Sequence, residues 1–171
     1  HLLAEPMAAW LASSRRFVTF VTTYRDKIRK KLRTRQDQAS LLDLRLELET
    51  AYLLLRQRNL NLAYEPRCEQ SRCPDFAVTF TTSLTFMVEV TRQQAEPKNS
   101  LTMSVPGAVP QELTVAERLA DTICSKLGQL LPHCSNVLLI GLETLSLTQE
   151  ELRATMVYLQ QHAEQDDGLF W

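Results

Sequence analysis

Two acidic residues, Asp75 and Glu89, are spaced so that their carboxylates could act together. Residues 74–80 and 84–92 are rich in β-branched and aromatic side chains, which predicts two neighbouring strands of a hairpin. If the hairpin is symmetric about Thr82, Asp75 lies directly opposite Glu89 on the same face. Facing carboxylates repel each other unless a cation lies between them, and oxygen ligands suit Mg²⁺ or Mn²⁺. The pattern therefore predicts a metal site; the alternative is a solvated sheet end where the two side chains never meet.

The sequence around these acids resembles the signature of a known superfamily. Pro74-Asp75, a gap of 13 residues and then Glu89-Val90-Thr91 are similar to the motif of the PD-(D/E)XK nucleases, which share the restriction-endonuclease-like fold. The resemblance implies that Asp75, Glu89 and the Val90 carbonyl hold the metal. The superfamily's lysine is expected two residues after the second acid, where this chain has Thr91. Very-short-patch repair endonucleases belong to the superfamily and also have threonine there, so Thr91 is compatible with a catalytic role.

Two further residues complete the catalytic set that the resemblance implies. In this superfamily a helix before the first strand brings a glutamate towards the metal, and Glu47 suits that position. The alternative is a salt-bridged helix glutamate, paired with Arg45 or with the basic run near the N-terminus. Some members carry the catalytic lysine on the helix after the strands, which would be Lys126, with Gln129 as a second polar contact. The alternative for Lys126 is a side chain that extends from a buried boundary to water.

Charge is distributed unevenly along the chain, although the net charge is only −1. Residues 1–35 contain nine Lys and Arg residues against two acidic ones. A basic helix neutralises phosphates and attracts nucleic acid, so Arg29, Lys30 and Lys31 are candidate nucleic-acid contacts. Arg92 is a fourth candidate because a guanidinium forms paired hydrogen bonds with phosphate. The alternative is a solvated basic face.

Length and composition predict one globular domain. The chain has 171 residues, of which 44% are hydrophobic and 23% charged. It has no apolar run of membrane-spanning length and no signal-peptide pattern, so we expect a cytoplasmic protein without membrane association. Residues 1–39 are expected to form a basic helical extension packed on a core of residues 40–171. The four cysteines lack the tight spacing of a zinc site and are expected to be free, buried thiols.

Periodicity and capping signals predict the order of the elements. The predicted elements are one or two helices over 5–32, a helix over 40–58 capped by Ser40, strands over 59–65, 74–80 and 84–92, a long loop over 93–111, a helix over 115–131 capped by Thr114, a strand over 136–142 and a helix over 148–162. The nearly all-apolar strand over 136–142 is expected to be buried on both faces in a parallel position. The fold class is α/β, of the α+β type with a mixed sheet. Its element order resembles the αβββαβ core of the restriction-endonuclease-like fold, with extra N-terminal helices and a C-terminal helix.

The resemblance implies a function as well as a fold. It implies an endonuclease, dependent on Mg²⁺ or Mn²⁺, that hydrolyses phosphodiester bonds in nucleic acid, with DNA favoured. A homodimer is a further implication, because several nucleases of the superfamily cut both strands as dimers. The alternative is an inactive nuclease-like fold that binds nucleic acid or protein, in which Asp75 and Glu89 pair with Arg92 or Arg72. The missing strand lysine favours this alternative.

Overall fold

The computed structural model describes residues 2–35, 37–66, 73–93, 114–142 and 147–165. Within these ranges the chain is a mixed α/β protein with six helices and a four-stranded mixed sheet, which agrees with the α+β class. The elements in chain order are α1 (Ala4–Ser13), α2 (Arg15–Thr23), α3 (Arg25–Thr34), α4 (Gln38–Arg56), β1 (Leu60–Tyr64), β2 (Phe76–Phe80), β3 (Leu84–Gln93), α5 (Val115–Leu127), β4 (Ser135–Leu142) and α6 (Gln149–Gln165). None of the described helices is both long and apolar enough to cross a membrane.

Capping residues set the ends of the helices. Ser14 accepts a hydrogen bond from the Phe17 amide and begins α2, so the predicted N-terminal helices become three short ones. Thr114 caps α5, as predicted, in a capping box with Glu117. The prediction that Ser40 caps α4 is wrong. Asp37 is the cap, because its carboxylate accepts from the Ser40 amide at 2.8 Å.

The sheet has the strand order β1-β2-β3-β4. Strand β2 pairs antiparallel with both β1 and β3. Phe80 lies opposite Leu84 and Phe76 opposite Val88, so the predicted hairpin symmetry about Thr82 is confirmed. The loop lacks glycine, and Thr81 adopts the left-handed conformation there, at a φ of 57°.

Strand β4 is present where it was predicted, but its predicted burial is wrong. It is the last strand in the sheet order, and its residues are half-buried or exposed, with Val137 46% exposed. An edge strand has one strand neighbour, so an apolar run does not by itself place a strand in the middle of a sheet.

Two compact units make up the chain, namely His1–Arg92 with Leu130–Gly141, and Gln93–Gln129 with Leu142–Trp171. In the first unit, helices α1 to α4 and the sheet share one core, which contains Trp10, Phe17, Phe20, Ile28, Leu44, Leu48, Ala51, Leu55, Tyr64, Phe76, Val78, Val88 and Val90. In the second unit, α5 and α6 pack together, and the Tyr158 hydroxyl donates to Glu117 at 3.0 Å.

Three of the cysteines, Cys73, Cys124 and Cys134, are free, as expected. Their predicted burial is wrong for two of them, because Cys73 and Cys134 are exposed and only Cys124 is partly buried. Cys68 and Arg72, together with the predicted loop beyond Gln93, lie outside the described residues.

The aromatic core supplies a test of the fold. Phe17 is fully buried, with ring centroids 5.9 Å from Trp10, 6.0 Å from Phe20 and 5.7 Å from Tyr52. Phe17→Ala is expected to lower the free energy of unfolding by about 3–5 kcal/mol, because it leaves a cavity between these rings. The neighbouring Val18→Ala, on the exposed face of the same helix, is the matched control and should change it by less than about 1 kcal/mol. Urea denaturation measures both, and equal losses would contradict this placement of α2.

Candidate functional site

Asp75 and Glu89 meet at the end of the hairpin. Extending the β2–β3 register by one residue beyond Phe76 and Val88 puts Asp75 opposite Glu89. Glu89 is only 7% exposed, and one oxygen of Asp75 (Oδ2) accepts a hydrogen bond from the Val90 amide at 2.8 Å. The two carboxylates and the Val90 backbone are therefore close together at one end of the sheet.

The pKa of the Asp75 carboxyl is raised to about 7. Burial is the main cause, and the negative charges of Glu47 and Glu89 add to it. The hydrogen bond from Val90 and the positive charge of Lys31 act in the opposite direction. Because it is buried and two of its neighbours are acids, the Asp75 carboxylate binds a proton more readily than that of an ordinary aspartate. A nearby cation would stabilise its negative charge in the same way.

Glu47 lies in α4 and is held by three donors. It is 4% exposed; Oε2 accepts from Lys31 at 2.6 Å and from the Tyr64 hydroxyl at 2.8 Å, and Oε1 accepts from Arg35 at 2.9 Å. Burial opposes ionisation, but the two cations and the hydroxyl outweigh it and lower the pKa of Glu47. Glu47 is thus a salt-bridged glutamate whose partners come from the basic run. Arg45, the other predicted partner, donates instead to the Leu2 carbonyl at 3.5 Å.

Lys31 lies between several of these groups. Its side chain is 16% exposed, and its ammonium is 2.6 Å from Glu47 Oε2, 2.7 Å from Glu65 Oε1 and 4.9 Å from the centre of the Tyr64 ring. Burial opposes protonation, but Glu47 and Glu65 more than compensate and raise the pKa of Lys31. The ammonium of this predicted nucleic-acid contact is therefore directed towards the carboxylates of its own chain.

Sequence reasoning did not find Glu65 or Tyr64 at this site, and it gave the basic run as a partner of Glu47 without singling out Lys31 or Arg35. Glu65 follows β1 with a φ of 44°, and its amide donates to the Asp75 carbonyl at 2.7 Å, which ties the end of β1 to Asp75. The spacing of Lys31 and Arg35, four residues apart, places both on one face of a helix and was the available signal.

Other basic residues of the N-terminal run also contact their own chain. Arg16 donates to the carbonyls of Leu55, Gln57 and Leu60, which fixes α2 to the connection between α4 and β1. Lys27 donates to the carbonyls of Tyr64 and Glu65 at 3.0 and 2.7 Å. Arg29 and Lys30, by contrast, are exposed on α3.

Three of the four remaining predicted site residues have side-chain contacts of their own. Arg92 is largely buried and donates to Asp43 at 2.8 Å and to the Ala39 carbonyl at 3.1 Å. Thr91 is half-buried in β3. Lys126 and Gln129 belong to the second unit, where the Lys126 ammonium donates to the Gln129 side chain at 3.0 Å.

The raised pKa of Asp75 predicts a specific pH dependence of stability. The folded protein holds the Asp75 proton more tightly than the unfolded chain does. The stabilising contribution of protonated Asp75 to the free energy of unfolding is therefore fully present below about pH 4 and is lost as the pH rises through about 7. Asp75→Asn should therefore be more stable than the wild type at pH 8, by about 1–4 kcal/mol, and nearly equal to it at pH 4.5.

Urea denaturation at the two pH values, in EDTA, measures this difference. Asp26→Asn on the exposed surface of α3 is the control and should show no such change. A difference between Asp75→Asn and the wild type that does not vary with pH would contradict the burial of an ionisable Asp75.

No family model, curated protein or solved structure matches this chain. The chemistry of the site is therefore inferred from its own residues. Asp75 and Glu89 form a carboxylate pair, and Lys31, Arg35 and Tyr64 hold Glu47 beside it. Such a pair suits a cation with oxygen ligands.

Proposed function

We propose that this chain is a metal-dependent nuclease of the restriction-endonuclease-like fold, which hydrolyses phosphodiester bonds in nucleic acid, with DNA as the favoured substrate. The observation that carries the proposal is the convergence of Asp75 and Glu89 at the end of one hairpin, beside the Val90 backbone. Burial and the neighbouring acids make the negative charge of the Asp75 carboxylate unfavourable, and a bound cation would offset this cost.

The donor set fits Mg²⁺ or Mn²⁺. Among the described residues, no three His, Cys, Asp or Glu side chains are arranged to hold a metal ion. Mg²⁺ commonly binds through one or two carboxylates and completes its shell with water and substrate phosphates, so two carboxylates suffice. The Val90 carbonyl would be a third oxygen, because a strand residue directs its carbonyl and its amide to the same side, and the Val90 amide points to Asp75.

The order of the elements also supports the proposal. The sequence α4, β1, β2, β3, α5, β4 is the αβββαβ order expected of the restriction-endonuclease-like fold, with α1 to α3 before it and α6 after it. This support is independent of the acidic residues, since it depends only on element type and order.

The proposed mechanism gives each residue a defined role. Asp75, Glu89 and the Val90 carbonyl would hold the ion, which lowers the pKa of a bound water and stabilises charge on the phosphate. Glu47 acts through its charge on Asp75, because its own oxygens already accept three hydrogen bonds. Thr91 is the candidate within the first unit to orient the nucleophile, and the roles of Lys126 and Gln129, which belong to the second unit, stay predictions from the sequence.

For phosphate contacts we propose the exposed Arg29 and Lys30. Arg92 remains a further candidate, although its guanidinium already binds Asp43. We leave Lys31 out of this set because its ammonium binds two carboxylates of its own chain.

A second function, an inactive nuclease-like fold that binds nucleic acid or protein, is favoured by a different observation. Glu47 is held by Lys31 and Arg35, and Arg92 is held by Asp43, so these groups are engaged within the protein. With Thr91 in place of the strand lysine, the hairpin itself brings no cationic side chain to that position. A measurement of metal binding distinguishes the nuclease from the inactive binding fold.

Titration calorimetry with Mn²⁺ and nicking of a supercoiled plasmid in Mg²⁺ test the nuclease. The wild type should bind Mn²⁺ and nick DNA, and EDTA should stop cleavage. Asp75→Ala and Glu89→Ala should lose binding and lower cleavage by at least about 100-fold, because they remove metal ligands. Glu150→Gln, on the exposed surface of α6, is the control and should behave as the wild type. A wild type that binds no Mn²⁺ at millimolar concentration would refute the nuclease and favour the binding module.

The salt dependence of DNA binding tests the proposed phosphate contacts. Arg29→Gln and Lys30→Gln should each weaken binding to duplexes of any sequence and reduce the slope of log K against log[salt] by about 0.9, because each removes one phosphate contact. Fluorescence anisotropy measures both quantities. Arg153→Gln on the exposed surface of α6 is the matched control. Unchanged slopes in both variants would mean that this face of α3 does not contact DNA.

A further inference from the structure

Lys31 is a fixed cation beside the carboxylate site. Its ammonium lies within 2.6 Å of Glu47 Oε2 and 2.7 Å of Glu65 Oε1, and it packs over the Tyr64 ring. Two carboxylates from different elements, α4 and the end of β1, therefore hold it in place. Glu65 is in turn bonded through its amide to the Asp75 carbonyl. An ammonium held this way is a fixed positive charge whose field reaches Asp75.

The sign of its effect follows from electrostatics. A divalent cation binds more weakly where a positive charge is already present, and more tightly where a negative charge is added. Lys31 and Glu47 therefore act on the Asp75–Glu89 pair in opposite directions, even though they bind each other. The field of Lys31 and that of Glu47 both reach Asp75, the first favouring its ionised form and the second opposing it.

We infer that Lys31 is a positioning residue that sets the affinity of the carboxylate site for divalent cations, acting as a tethered cation that Glu47 and Glu65 hold in place. This inference rests on the metal site proposed above. It also makes α3, the helix that carries Lys31, part of the site, although α3 precedes the acidic hairpin by more than 40 residues in the sequence.

Two charge-removing substitutions should change the affinity in opposite directions. At pH 8 and without nucleic acid, Lys31→Met should bind Mn²⁺ about three- to tenfold more tightly than the wild type, because one partly screened charge is removed. Glu47→Gln should bind it more weakly by a similar factor. The double variant should lie near the wild type, and Arg25→Met, at an exposed position of the same helix, should not change the affinity.

Opposite signs distinguish this role from a structural one. A residue that only supports the fold would weaken Mn²⁺ binding when it is replaced, so Lys31→Met and Glu47→Gln would then both bind less tightly. Titration calorimetry measures the affinities, and circular dichroism establishes that each variant is folded. Binding by folded Lys31→Met that is equal to or weaker than that of the wild type overturns the inference.

A measurement on the wild type covers the case in which Lys31→Met does not fold. Coupling between two sites is reciprocal, so Mg²⁺ binding should lower the pKa of Lys31. Nuclear magnetic resonance of the lysine side chains detects this change, and an unchanged Lys31 pKa in saturating Mg²⁺ overturns the inference.

Failure of the metal site itself has a different signature. If the wild type binds no Mn²⁺, the proposed nuclease and this inference fail together. If the wild type binds Mn²⁺ but folded Lys31→Met does not bind it more tightly, only this inference fails and the metal site stands.

Discussion

The buried carboxylate of Glu47 is the constraint on which the first unit depends. Removing a carboxylate from water costs several kcal/mol, and the cost is offset only when charged donors and hydrogen bonds surround it. Lys31 and Arg35 of α3 and Tyr64 of β1 provide these donors for Glu47 of α4. Because Glu47 and its partners come from three elements, α3, α4 and β1 must pack together for any of these charges to be buried.

The same network separates the behaviour of two nearby acids. Glu47 is surrounded by cations, which hold its pKa low despite burial. Asp75 is buried close to other acids, which raise its pKa to about 7. Pairs of acids whose environments move their pKa values apart often occur where one group holds charge and the other exchanges it. In this chain Glu47 is the fixed charge, and Asp75 is the group whose charge changes near neutral pH.

Local patterns predicted the hairpin correctly but not the network. The alternation along 84–92 and the polar turn around Thr82 restrict the β2–β3 register, because a shift by one residue would turn the apolar face of the strand to water. The contacts of Lys31 with Glu47 and Glu65 join residues 16 and more positions apart, and periodicity carries no information about such partners. A run of basic residues is equally consistent with nucleic-acid contacts and with internal ion pairs. The apolar composition of β4 likewise did not reveal its place at the sheet edge.

The position of Lys31 also limits what it can do in a reaction. A lysine that orients a nucleophile needs an ammonium with a free hydrogen-bonding direction towards water or substrate. The ammonium of Lys31 is instead fixed by two carboxylates and an aromatic ring, and only 16% of its side chain is exposed. Its charge reaches the neighbouring carboxylates through space, whereas its protons are engaged. Lys31 is therefore suited to setting the electrostatics of the site rather than to orienting a nucleophile.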